Sequence, residues 1–216
     1  MEFYESLYAH YGPQHWWPGE TDFEVMVGAV LTQNTNWQNV EKAIANLKAA
    51  DLLSPQALHA QTEKHLGAYL RPAGYFNIKA KRLKNLICWL MEGFDGSLEE
   101  LRDYSVGRLR EELLSINGVG RETADSIILY ALHKPTFVVD TYTYRVLVRH
   151  RCIDVESDYE QIKEFFEDRL PEDVELYNEF HALIVQVGKN HCKPRAHCVN
   201  CPLQEYEHDR ETESNR

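Results

Sequence analysis

The apolar residues of this chain recur every three or four positions, which is the spacing that places side chains on one face of an α-helix. Helices are predicted in the segments with this spacing, namely residues 1–15, 22–31, 37–47, 54–92 (as two or three helices), 94–102, 105–131, 159–169 and 171–188. No segment of useful length alternates between polar and apolar residues as a β-strand does. The pattern therefore predicts an all-α fold.

A glycine turn, Asn117-Gly-Val-Gly120, interrupts the helical pattern. Glycine tolerates positive φ and close backbone approach, so this stretch predicts two helices joined by a tight turn. The second helix then begins near Gly120 with free backbone N–H groups, which can bind an anion such as a DNA phosphate. Taken alone, the turn is more typical of an ordinary corner between two helices.

A carboxylate at the end of a nearby apolar run, Val138-Val-Asp140, makes the pattern more specific. Residues 116–124 followed by Val139-Asp-Thr-Tyr142 resemble the helix-hairpin-helix, Gly/Pro-rich loop and aspartate signature of the endonuclease III superfamily of base-excision DNA glycosylases. This resemblance implies a two-subdomain helical glycosylase fold with Asp140 as the catalytic aspartate. The residues alone also allow Asp140 to be the N-cap of a following helix.

The same resemblance implies a set of DNA contacts. Gln33, in Leu31-Thr-Gln-Asn-Thr-Asn-Trp37, matches a glutamine that enters the base stack, where a side chain fills the gap left by a flipped nucleotide. From the residues alone, Gln33 could equally form hydrogen bonds at a helix C-terminus. The hairpin residues expected to contact DNA are Asn117, Gly118, Val119, Gly120, Arg121 and Thr123.

Glu122 departs from the pattern of the bifunctional members of this superfamily. Those members carry a lysine two residues after the second glycine, and its amine forms a Schiff base with the sugar before the strand is cut. A carboxylate cannot perform amine chemistry. The resemblance therefore implies a monofunctional glycosylase that uses water as nucleophile, although Lys134 or another lysine could substitute. Glu122 is otherwise an acid that favours a helix N-terminus.

Within the superfamily, the chain from Trp16 to about Lys189 most resembles a bacterial 3-methyladenine DNA glycosylase branch. The matching segments are Trp16-Trp-Pro18, residues 28–35, residues 71–77 with 79–83, the hairpin with Glu122, and Phe180-His181 with Ile184-Val185 and Lys189. The resemblance implies a base pocket in which Trp37 stacks on the base, with Trp16, Trp17, Pro18 and Lys189 around it. An alkylated purine is cationic, so stacking on tryptophan contributes about 1–2 kcal/mol. Lys189 would oppose such a base unless it holds a partner or a phosphate, so its role stays open.

The charge balance is unfavourable for a protein that binds DNA, since the formal net charge is −11. The acids concentrate in residues 154–179 and after Cys201. The basic residues concentrate elsewhere, at Arg71, Lys79, Lys81, Arg82, Lys84, Arg108, Arg110, Arg121, Lys134, Arg145, Arg149 and Arg151. This segregation is compatible with one basic face that binds double-stranded DNA containing damaged bases.

Three of the five cysteines, Cys192, Cys198 and Cys201, lie close together near the C-terminus. Their loop, residues 191–202, resembles an iron–sulfur loop with four cysteines, but Glu207 stands where the fourth is expected. A [4Fe–4S] cluster normally needs four thiolates, whereas three thiolates and a histidine suit zinc. An iron–sulfur cluster, a zinc ion and a metal-free loop therefore all stay open.

The expected organisation is one glycosylase domain over residues 1–206, followed by a disordered polar tail over 207–216. A six-helix subdomain is expected over residues 22–135, and a terminal subdomain over 1–21 with 136–206. The chain has no apolar run of the roughly twenty residues needed to span a membrane and begins without a signal-peptide pattern. We therefore expect a cytoplasmic monomer that does not bind membranes.

Two alternatives share much of this evidence. An endonuclease III-like glycosylase with lyase activity on oxidised or mismatched pyrimidines would have the same fold. A non-catalytic helix-hairpin-helix DNA-binding protein would need the hairpin but neither Asp140 nor the tryptophans. The presence of both favours a glycosylase.

Overall fold

The computed structural model describes residues 1–209, which form only helices, turns and extended connections. This confirms the all-α prediction. The helices of this part of the chain are α1 (Glu2–Tyr11), α2 (Asp22–Leu31), α3 (Trp37–Ala49), α4 (Pro55–Ala60), α5 (Glu63–Tyr69), α6 (Phe76–Phe94), α7 (Glu99–Arg102), α8 (Val106–Ser115), α9 (Arg121–Ser126), α10 (Thr141–Arg149), α11 (Tyr159–Glu167) and α12 (Val174–Asn190). A 3-10 turn covers Arg71–Ala73, and a π-helical turn, Ile127–Ala131, extends α9.

The chain divides into two compact units. The central unit is Trp17–Lys134, and the terminal unit combines Met1–Trp16 with the described residues from Pro135 onward. The subdomain limits predicted from the sequence, about 22–135 and 1–21 with 136–206, stay a prediction.

In the central unit, α2 is the most buried helix, because the residues from Glu24 to Leu31 are all shielded from solvent. It packs against α6 and the π-helical turn, while α4 and α5 cover other parts of α6. Thr21 caps α2 by accepting a hydrogen bond from the Glu24 backbone N–H at 3.1 Å. The Glu24 carboxylate accepts from the Glu20 backbone N–H at 3.3 Å and pairs with Lys48.

In the terminal unit, α12 packs against α1 and α10. Gly188 permits the close approach of α12 to the start of α10, because a Cβ at this position would lie 2.5 Å from Tyr142 Cδ1. The three helices α10, α11 and α12 begin with aspartates, Asp140, Asp158 and Asp173, whose side chains accept a backbone hydrogen bond from the first turn.

The expected disordered tail is only partly described. Glu207 pairs with Arg151, and the Asp209 backbone N–H donates to the Arg149 carbonyl at 2.8 Å, so residues 207–209 are held by α10 and the turn after it. The rest of that expectation, residues 210–216, lies outside the described residues. Within residues 1–209, no helix combines the length and apolar character required to cross a membrane.

Candidate active site

The glycine hairpin joins α8 to α9 in the central unit, as the sequence predicted. Gly118 has φ +100°, and a Cβ at this position would lie 2.3 Å from Arg82 Cγ, so a side chain here would be both strained and obstructed. Asn85 supports the turn by donating to the Asn117 carbonyl at 2.9 Å. Val119 is buried, while Asn117 and Gly120 are exposed together with the first residue of α9, Arg121.

Gln33 contacts this hairpin directly. Its Nε2 donates to Thr123 Oγ1 at 2.9 Å and to the Gly118 carbonyl at 3.1 Å, and its Oε1 accepts from Arg82. The three bonds join residues that are 49 to 90 positions apart in sequence. In this structure the side chain therefore braces the hairpin and does not cap its own helix.

Two of the expected pocket tryptophans, Trp17 and Trp37, meet in the central unit edge to face, with ring centroids 5.1 Å apart and planes at 88°. Tyr130 lies 5.1 Å from Trp17 on a tilted plane. Gly28 makes room for both indoles, since a Cβ there would lie 3.4 Å from each. The Trp37 Nε1 is buried and has no hydrogen-bond partner among the described residues. Pro18 is exposed in the same unit.

The other two expected pocket residues, Trp16 and Lys189, meet in the terminal unit. The Lys189 ammonium lies 5.6 Å from the centre of the Trp16 ring, which is a cation–π contact. Lys189 is exposed and Trp16 is partly buried. A face of Trp16 is thus already occupied by a cation.

Asp140 lies at the N-terminus of α10, where its two carboxylate oxygens have different surroundings. Oδ1 accepts from the Thr143 backbone N–H at 2.8 Å and from Thr143 Oγ1 at 2.9 Å. Oδ2 faces His181 Nε2 of α12 at 3.6 Å. Burial alone would raise the pKa of Asp140, but His181 and the two Thr143 bonds outweigh it and lower that pKa below its usual value. The carboxylate is therefore ionised at neutral pH, with one oxygen committed to the helix and one available.

The extended segment before Asp140 is held from both sides. The Glu167 carboxylate accepts from the Phe137 backbone N–H at 2.8 Å and also pairs with Lys163. The Phe137 ring stacks on Phe166 with centroids 3.8 Å apart and planes at 7°. These contacts fix the direction in which the chain enters α10, and with it the position of the Asp140 carboxylate.

Several basic residues do not contribute to the expected basic face. Lys79 is buried, donates to the Ala73 carbonyl at 2.6 Å and has its pKa lowered to about 8 by burial and by Arg82. Arg145 and Arg149 are also buried. They donate to backbone carbonyls of the cysteine loop, so these three cations have structural partners within the protein.

The cysteine loop brings its three thiols to one small cavity. Cys192, Cys198 and Cys201 line one cavity of about 20 Å³ with three histidines, His150, His191 and His208. Burial and the other two thiols raise the pKa of Cys201. Arg149 donates to the Cys192 sulfur at 3.3 Å, and Glu207, at the position of the fourth cysteine, pairs with Arg151.

This arrangement does not supply the four thiolates of a [4Fe–4S] cluster. Among residues 1–209, no three His, Cys, Asp or Glu side chains are placed to coordinate one ion.

Two residues next to the expected site residues were not assigned a role from sequence. Arg82 is expected from the sequence only as one of the basic residues, yet its side chain lies against Gly118 and bonds Gln33. His181 was noted only within a matching segment, yet it contacts Asp140. The sequence does contain a signal that could have revealed His181, because it is a lone histidine on the apolar face of α12. It also lies seven residues before Gly188 and hence on the same face of the helix.

Comparison with known proteins identifies the family. Residues 27–172 match the HhH-GPD superfamily of base-excision DNA repair proteins. The chain is 51% identical over 207 residues to a Methanocaldococcus jannaschii protein named as a candidate DNA repair glycosylase, covering 95% of this chain and 94% of that protein. It is 30% identical over 189 residues to Thermotoga maritima endonuclease III, covering 87% and 83%.

Similarity to a solved structure also supports a DNA glycosylase. The chain shares 32% sequence identity and a TM-score of 0.76 with the Helicobacter pylori 3-methyladenine DNA glycosylase bound to 1,N6-ethenoadenine, over 87% of this chain and 96% of that one. The non-catalytic alternative is therefore set aside. The chain belongs to the HhH-GPD superfamily of base-excision DNA repair proteins, and it is a DNA N-glycosylase.

Proposed function

We propose that this protein is a monofunctional glycosylase that hydrolyses the N-glycosidic bond of alkylated purines, of the 3-methyladenine type, in duplex DNA. The observation that carries the proposal is the state of Asp140, an ionised carboxylate with Oδ1 held by Thr143 and Oδ2 available for chemistry. A fixed negative charge stabilises the positive charge that develops on the sugar as the bond breaks.

The proposed reaction requires no other charged catalyst. The duplex is bent and the damaged nucleotide is rotated out of the stack. The C1′–N bond then breaks, and its electron pair neutralises the cationic alkylated base, which leaves. Water adds to C1′ while Asp140 orients it and accepts its proton. The products are the free base and an abasic site, and the proton passes to solvent.

The tryptophan pair supports a preference for alkylated purines. Trp17 and Trp37 present perpendicular ring faces in one unit, and a cationic base gains more from an indole face than a neutral base does. The similarity to a 3-methyladenine glycosylase points to the same substrate class. Assignment of Trp16, Trp17, Pro18, Trp37 and Lys189 to one base pocket is part of this proposal.

The hairpin is proposed to bind a backbone phosphate through the backbone N–H groups near Gly120, with Arg121 exposed beside it. Glu122 is also exposed in the first turn of α9, and its carboxylate cannot form a Schiff base. The proposal therefore includes hydrolysis without strand cleavage.

A second candidate is an endonuclease III-like glycosylase that also cleaves the strand. The 30% identity to Thermotoga maritima endonuclease III over most of both chains favours it. It requires an amine other than the one replaced by Glu122. Borohydride trapping of a covalent protein–DNA adduct would distinguish it from the monofunctional enzyme, which forms none.

For the cysteine loop, a single zinc ion suits the donors better than an iron–sulfur cluster, because three thiols and three imidazoles line its cavity. Binding would require the thiols to turn toward one another and Cys192 to leave Arg149. Elemental analysis of the purified protein tests this proposal. One zinc per chain would support it, whereas stoichiometric iron with sulfide would contradict it.

The catalytic assignment is tested by Asp140→Asn. Asparagine keeps an oxygen that can cap α10 but removes the charge, so base excision should fall by about a thousandfold or more while DNA binding persists. The matched control is Asp158→Asn, because Asp158 caps α11 in the same manner. Retained turnover in Asp140→Asn, or an equal loss in the control, would overturn the role of Asp140.

A further inference from the structure

The histidine opposite Asp140 carries an inference beyond that assignment. His181 Nε2 lies 3.6 Å from Asp140 Oδ2, and both side chains are nearly buried, with 6% and 12% of their surfaces exposed. This separation is longer than a hydrogen bond and is that of an electrostatic contact. Because Oδ1 already accepts two bonds from Thr143, His181 faces the oxygen that is left for the reaction.

Packing around His181 holds its imidazole opposite Asp140. Gly188, two turns further along the same face of α12, allows the helix to approach Tyr142 at the start of α10. The His181 ring meets Phe137 edge to face at 6.5 Å, and Phe137 is itself stacked on Phe166. The position of the imidazole therefore depends on the close approach of α12 to α10 and on the Phe137 ring.

We propose that His181 is a positioning residue for Asp140, which holds Oδ2 in place and keeps the buried carboxylate ionised by directing an N–H at it. The inference rests on the proposed catalytic role of Asp140. A carboxylate taken out of water without such a partner is protonated at higher pH and rotates away from its productive orientation. His181 touches neither base nor sugar in this account and acts only through Asp140.

Other charged groups on the surrounding elements have their own partners. Lys163 and Glu167 of α11 pair with each other, Arg145 of α10 donates to the Cys192 carbonyl, and Lys189 of α12 lies over Trp16. The other titratable side chains carried by α1, α10, α11 and α12 are Glu2, Tyr4, Glu5, Tyr8, His10, Tyr11, Tyr142, Tyr144, Arg149, Tyr159, Glu160, Glu164, Glu175, Tyr177 and Glu179. The side chains that shift the pKa of Asp140 are His181 and Thr143.

The direct test measures the pKa of the Asp140 carboxyl by carbon NMR of protein labelled in its aspartates. The Asp140 signal is the one that is missing from the spectrum of Asp140→Asn. In His181→Leu the pKa should rise by about one unit or more, because burial then acts without a partner. In His181→Gln, which keeps an N–H donor, the pKa should stay closer to that of the unmodified protein. An unchanged pKa in His181→Leu would overturn the proposal.

A second readout is the pH dependence of single-turnover excision from methylated duplex DNA between pH 5 and 9. His181→Leu should move the acid limb to higher pH, so that its loss of rate grows as the pH falls and is smallest at pH 8. The packing control is Phe180→Leu on the same helix, which should lower the rate evenly across pH. Equal losses at all pH values in His181→Leu would contradict the proposal.

These outcomes separate the two proposals. If the unmodified protein releases no methylated base, the proposed substrate is wrong, but the NMR titration still decides whether His181 controls the Asp140 carboxyl. If the protein is active and the carboxyl pKa does not respond to His181, only the positioning role fails.

Discussion

Gln33 Nε2 donates to Thr123 Oγ1 at 2.9 Å, which ties the turn after α2 to the second helix of the hairpin. The same nitrogen bonds the Gly118 carbonyl, and Arg82 bonds the other end of the amide. Gln33, which is proposed to enter the DNA stack, must therefore break three hydrogen bonds within the protein when it enters. The free energy that Gln33 gains in the DNA stack therefore has to exceed the free energy of these three hydrogen bonds.

The first prediction concerns this exchange. Gln33→Ala should lower excision from duplex DNA by about tenfold or more, because no side chain then fills the gap left by the flipped base. Thr123→Val removes one of the bracing bonds but keeps the amide, and should cost about threefold or less. The comparison is made by single-turnover rates on one methylated duplex. Equal losses in the two variants would mean that Gln33 acts only as a brace.

The tryptophan pair leads to the second prediction. Trp37→Ala should reduce kcat/KM on a cationic alkylated base by about 5- to 30-fold, the equivalent of about 1–2 kcal/mol of lost cation–π stacking. Trp37→Phe should recover part of this loss because a ring face remains. Trp89→Phe is the control, since Trp89 contacts Phe94 and Glu112 away from this pair. A Trp37→Ala enzyme with unchanged kcat/KM would remove this residue from the pocket.

Lys189 provides the third prediction, because its ammonium already lies over the Trp16 ring. Lys189→Met removes a cation that opposes a cationic base, so the ratio of rates on cationic and neutral lesions should rise about two- to fivefold. Lys193→Met makes the same change of net charge at an exposed position and should leave the ratio unchanged. A fall in the ratio would show that Lys189 assists the cationic substrate instead.

Stability toward acid forms the fourth prediction. Burial lowers the pKa of His150 to about 4, with His208 acting in the same direction and the Glu207 carbonyl acting against it. The unfolded chain binds this proton near the ordinary histidine pKa of about 6.5, so the free energy of unfolding should decrease as the pH falls from 6.5 toward 4. Below the folded-state value the contribution of His150 should be constant.

Urea unfolding at several pH values checks that prediction. His150→Phe should flatten the decrease between pH 6.5 and 4, because the buried position no longer takes up a proton on unfolding. His65→Gln changes an exposed histidine of α5 and should keep the slope of the unmodified protein. An undiminished slope in His150→Phe would assign the acid sensitivity to other groups.

The helices and the hairpin could be predicted from sequence because their signals are local. Thr21 begins α2, Asp140 caps α10, and Gly118 has the positive φ that its turn requires. Trp37 is the first residue of α3, as expected, and Asn36 caps that helix. Each of these assignments depends on residues within three or four positions along the chain.

The contacts that depend on distant segments could not be predicted in this way. No local pattern indicates that Gln33 forms hydrogen bonds with residues of the hairpin. Likewise, none indicates that Lys79 is buried and donates to a backbone carbonyl. Arg145 and Arg149 looked like candidates for a basic face, but they are buried against the cysteine loop. A cation's role depends on which carbonyls the fold brings to it, and this information is absent from local spacing.

The central claim is that the protein releases alkylated purines by hydrolysis without cutting the strand. The most direct test is to incubate methylated duplex DNA with the protein, measure the free bases, and score strand breaks with and without alkali. We predict release of methylated purines, with breaks that appear only after alkali treatment of the abasic sites. Breaks without alkali, or no release of methylated purines, would contradict the account.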